Sequence, residues 1–111
     1  MLLEINKYLQ DIITSIDSIK TYTFGIKKYE DFIANRMVYR AVERELEIMA
    51  EAITRINKID NSIKITNSKK IIGLRNRVIH SYDNVNEDIV WGVVVNHLDN
   101  LKNEVNDLLK K

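Results

Sequence analysis

The sequence predicts an all-α fold, an antiparallel bundle of four to five helices in one domain over residues 1–111. Three observations carry that expectation. The chain has no proline and only three glycines, so helices run without their usual breakers. Long stretches repeat apolar residues every three or four positions, the spacing of one helix face. The connectors between them are short, which folds successive helices back against each other.

Each element has its own signal. The first helix spans roughly 2–20, with Ile5, Tyr8, Leu9, Ile12, Ile13, Ile16 and Ile19 on one face. "TYTFG" at 21–25 is rich in β-branched and aromatic residues, ends in glycine and reads as a connector. The second segment runs from about 29 to 57, with a break or kink near Ala34–Asn35. Phe32, Met37, Val38, Ala41, Val42, Leu46, Met49, Ile53 and Ile56 mark its apolar face. Arg36, Arg40, Glu43, Arg44, Glu47 and Arg55 mark the polar one, with Arg40 and Glu43 at neighbouring helical positions. A polar loop follows at 57–68, and Ser68 can cap a third helix over about 69–81. Asn86 can cap a fourth, with Glu87 and Asp88 at the positive end of its dipole. Val90, Trp91, Val94, Leu98, Leu101, Val105, Leu108 and Leu109 then form one stripe to the C-terminus.

Composition excludes several classes of function. There is no cysteine, hence no disulfide, thiolate metal site or cysteine nucleophile, and the chain suits a reducing cytoplasm. "MLLEINKYLQ" has an acid at its fourth residue and reads as no signal peptide. The longest apolar run, "IVWGVVV" at 89–95, is far too short for a membrane span. Net charge is only +1, yet residues 61–82 hold Lys64, Lys69, Lys70, Arg75 and Arg77 and no acid. The remainder, with 12 bases and 16 acids, is net −4. A local basic segment of this kind can hold a phosphate backbone, or it is a solvated helix start.

At the end of that segment stands "RNRVIHSYD", residues 75–83. Asn76 and His80 are four apart and share a helix face. Arg75 and His80 are five apart, about 140° around the axis, and do not converge within one straight helix. Convergence needs the helix to end or bend near His80, or a second copy of it to approach across a twofold axis. The segment has no serine–base–acid set, no His-Glu-x-x-His pair and no glycine-rich phosphate loop. His80 and His97, the only histidines, stand on different helices. What remains is a base that titrates near neutrality and a permanent cation. That pair suits metal-free RNA cleavage. The histidine exchanges protons with the ribose 2′-hydroxyl or the leaving oxygen, and the arginine holds the phosphate.

Three pieces of the chain resemble the HEPN superfamily, specifically the HepT-like toxins encoded beside a minimal nucleotidyltransferase (MNT) antitoxin. "RNRVIHSYD" matches an Arg-x4-His-x-Tyr motif, "AVERELEIMAEAITRI" at 41–56 a second-helix signature, and "DFIANRMVYRAVE" the approach to it. One departure is Ala50, where many members have glycine. The resemblance implies a homodimer with the motif at its interface and metal-independent endoribonuclease activity that needs no cofactor. It also implies an MNT-type nucleotidyltransferase partner that silences the toxin by adding AMP to the motif tyrosine. Carried over, Arg75 and His80 become the catalytic pair, Asn76 an auxiliary polar residue and Tyr82 the modification site. A rival reading is a non-catalytic helical subunit that binds a nucleotide or a nucleotidyltransferase. Glu51 either faces the motif or sits in a surface ion pair. Trp91 belongs to core or dimer interface, His97 to a helix flank, and Gly73 to a close approach of another backbone. Lys70 and Arg77 read as solvated charges.

Overall fold

The computed structural model describes residues 2–65, 71–73 and 87–110. Helix α1 spans Leu2–Tyr22, α2 Tyr29–Ala34, α3 Arg36–Ile59, α4 Glu87–Asn96 and α5 Leu98–Lys110. The described residues contain no strand, so the fold is all-α as the apolar spacing requires. Ile71, Ile72 and Gly73 are helical within the range expected for the third helix, and the rest of that helix lies outside the described residues.

Helix α1 packs chiefly on α3 and also on α5, α2 contacts α3 and α4, and α4 meets α5. Contacts at the helix ends give the directions. Tyr22 reaches Glu45, and Tyr8 reaches Arg55, so α1 and α3 run antiparallel. Lys20 pairs with Asp99 and Lys102 with Asp17, so α1 and α5 run antiparallel too. Each of these ion pairs bridges exposed or half-exposed groups and contributes little to stability. The core does more. Leu9, Ile12, Ile16 and Ile19 of α1 face Val42, Met49, Ile53 and Ile56 of α3, all nearly or wholly buried. Each such side chain is worth about 1.5–3 kcal/mol in area removed from water.

The break expected near Ala34–Asn35 is real. Asn35 is extended, at φ −95° and ψ 90°, and its side chain accepts a hydrogen bond from the Val38 amide at 3.1 Å. It ends α2 through its own amide and caps α3 through its side chain. Restarting the helix here resets its face. Tyr39 turns inward, whereas Met37, five residues before Val42 and about 140° round the axis, is 81% exposed. The expectation of Met37 in the core is thereby corrected.

Glu43 is the opposite correction. Its charge assigns it to the polar face, yet it is buried. It stands seven residues, nearly two turns, before the buried Ala50 and so lies on the same line of the helix. Its carboxylate is kept inside by Arg40, which donates to it at 2.9 Å. The expected single C-terminal helix is interrupted at His97. Buried positions run Val90, Val93, then Leu98, Leu101 and Val105. The step of five from Val93 to Leu98 would turn the apolar face away from the core, and the interruption restores its phase. The β-branched run Val93–Val95 after Gly92 makes this a cheap place to interrupt a helix.

The turns differ slightly from expectation. Thr21 and Tyr22 belong to α1, and Gly25 reverses the chain at φ +83°. Helix α3 runs two residues past 57 and closes at Asp60, whose carboxylate accepts from the Ser62 amide and hydroxyl. These bonds, the hydroxyl's first, lower the Asp60 pKa. Ser68 and Asn86, the expected caps, lie outside the described residues.

Candidate active site

Arg75, Asn76, His80 and Tyr82 lie outside the described residues, as do Lys69, Lys70 and Arg77. The structure fixes the elements on either side of them. On the near side Ile71 is buried at 1% exposure and joins the common core. On the far side the described chain resumes at Glu87, whose charge acts on both Tyr29 and Tyr39. Ile71 thus sits in the core, and Glu87 stands near Tyr29 and Tyr39, where α2 and α3 begin. Gly73 shows no close approach: a Cβ added there would meet nothing within 4 Å among the described residues.

The aromatic cluster near Glu87 is well defined. Phe32 is fully buried, with its ring 5.6 Å from Tyr39 at an edge-on angle and 5.0 Å from Trp91. This places Trp91 in the core, half-buried, as the sequence suggested. Burial first, then the charge of Glu43, pushes the Tyr39 phenol up to about 12. The phenol therefore stays protonated at neutral pH and is not a base.

A second feature is a groove of about 350 Å³ between α1 and α3, lined in part by Tyr8, Asp11, Arg44, Glu47, Glu51 and Arg55. Its charges are matched within each helix. Arg55 donates to Glu51 at 2.9 Å, Arg44 lies 3.6 Å from Glu47, and Lys7 lies 3.1 Å from Asp11. The Glu51 carboxylate, with Tyr8 beside it, holds Arg55 even more firmly protonated than usual. Glu51 thus makes the ion pair that was one of its two expected roles. The sequence reading missed the groove because Tyr8 reads as one more apolar residue of the α1 stripe. The Glu51–Arg55 spacing of four was the available signal. No three His, Asp or Glu side chains among the described residues are grouped to hold a metal ion. His97 is partly buried where α4 gives way to α5. No described helix is long and apolar enough to cross a membrane.

Fold and flanking elements define a small helical bundle built around one long capped helix, α3, with a basic segment inserted between its end and α4. The chain belongs to the ribonuclease HepT-like family, whose profile matches residues 12–108. Curated relatives agree in name and extent. "Putative RNase MJ1380" of Methanocaldococcus jannaschii is 36% identical over 104 residues, covering 92% of this chain and 94% of its own. "Putative RNase TTE0752" of Caldanaerobacter subterraneus is 31% identical over 106 residues, covering 94% and 93%. "Probable ribonuclease HepT" of Thermococcus cleftensis is 31% identical over 107 residues, covering 93% and 94%. No solved structure matches the chain significantly.

Proposed function

We propose that this chain is a metal-independent endoribonuclease, the toxin of a toxin–antitoxin pair, acting as a homodimer of single-domain chains. The observation that carries the reading is the family match over 12–108, a range that contains the Arg75-x4-His80-x-Tyr82 motif. His80 takes the proton of a ribose 2′-hydroxyl, whose oxygen then attacks the adjacent phosphorus. The bond from phosphorus to the 5′-oxygen breaks, that oxygen receives a proton, and a cyclic phosphate is left on the upstream strand. Arg75 holds the phosphate and stabilises the charge that builds on its oxygens. Asn76, four residues before His80, orients the imidazole or binds the same phosphate.

Control follows from the same cleft. A minimal nucleotidyltransferase partner adds AMP to Tyr82, two residues beyond His80. The added phosphodiester competes with substrate for Arg75, and the adenosine obstructs the cleft. The test is incubation of the protein with total RNA, with and without EDTA. Wild type is expected to cleave in both, and His80→Ala and Arg75→Ala in neither, with helical circular dichroism unchanged. Cleavage lost to EDTA overturns metal independence. Cleavage at the wild-type rate by either variant overturns that residue's role.

A further inference from the structure

We draw no further inference here: the strongest candidate, the groove of about 350 Å³ between α1 and α3 beside Tyr8 and Arg55, carries nothing, because its charges are matched within each helix and nothing in the structure shows what covers it.

Discussion

Truncating Phe32 tests the packing of α2 against α3 and α4. Phe32 is 0% exposed and is the only buried residue of the six-residue helix α2. Its ring touches Tyr39 of α3 at 5.6 Å and Trp91 of α4 at 5.0 Å, so one side chain holds three helices together. Removing a buried phenylalanine ring costs about 3–5 kcal/mol. Two aromatic contacts of about 0.5–1.5 kcal/mol each place Phe32→Ala in the upper half of that range, near 4 kcal/mol. A domain of this size holds roughly 5–15 kcal/mol in all, so the variant loses at least a quarter of its stability. Urea unfolding is the assay, followed by fluorescence of Trp91, the single tryptophan, and by far-ultraviolet circular dichroism. The midpoint should fall with the slope unchanged, and Phe32→Leu should cost less than half as much. A loss below about 1 kcal/mol for Phe32→Ala would refute the claim that this ring pins α2 between α3 and α4.

Three further outcomes are expected. Asn35→Ala removes the side-chain cap of α3 and should cost about 1 kcal/mol in the same unfolding assay, with Asn35→Asp nearly neutral. Because the Tyr39 phenol is pushed up to about 12 from an ordinary 10, folding favours its protonated form. That contribution is complete below pH 10 and is lost as pH rises through about 12, worth up to about 2–3 kcal/mol; Tyr39→Phe should flatten the alkaline limb of a stability–pH curve. Tyr82→Phe should keep toxicity but escape silencing, with no mass gain when incubated with the nucleotidyltransferase and ATP. An equal gain on the variant would place the modification elsewhere.

The fold was legible because its information is periodic. The α1 face was readable from its apolar spacing, since six of its seven apolar positions are buried and Tyr8 is half-buried, although Ser15 is buried with them. The break at Asn35 was legible too, since a side chain that accepts from its own third neighbour competes with helix continuation. Phase was harder. Met37 was misplaced because the periodicity was carried across Asn35, whereas capping restarts the helix and turns its face. Glu43 also shows why a charge alone misleads: a carboxylate with an arginine three residues earlier can be drawn inward without becoming an unpaired buried ion. The groove beside Arg55 was illegible for another reason. It is made by two helices whose facing residues are more than thirty positions apart, and no local pattern reports that juxtaposition. The motif itself was read from residue types and spacing alone, which specify chemistry but not where the groups meet.

Where they meet can be decided by mixing. On one straight helix Arg75 and His80 point about 140° apart. If the working pair is composite, each cleft of the dimer uses Arg75 from one chain and His80 from the other. Arg75→Ala and His80→Ala homodimers are then both inactive, because every cleft lacks one partner. Co-expressed with separate tags, the two variants assemble at random, and about half of the dimers are mixed. A mixed dimer has one cleft with both residues intact and one with neither. The expected activity is therefore about a quarter of wild type per protein, all of it in material that carries both tags. If instead the helix bends and the pair forms within each chain, every cleft of a mixed dimer has one defect, and no activity returns. Purified double-tagged dimer that cleaves no RNA refutes the composite cleft while leaving both residues essential.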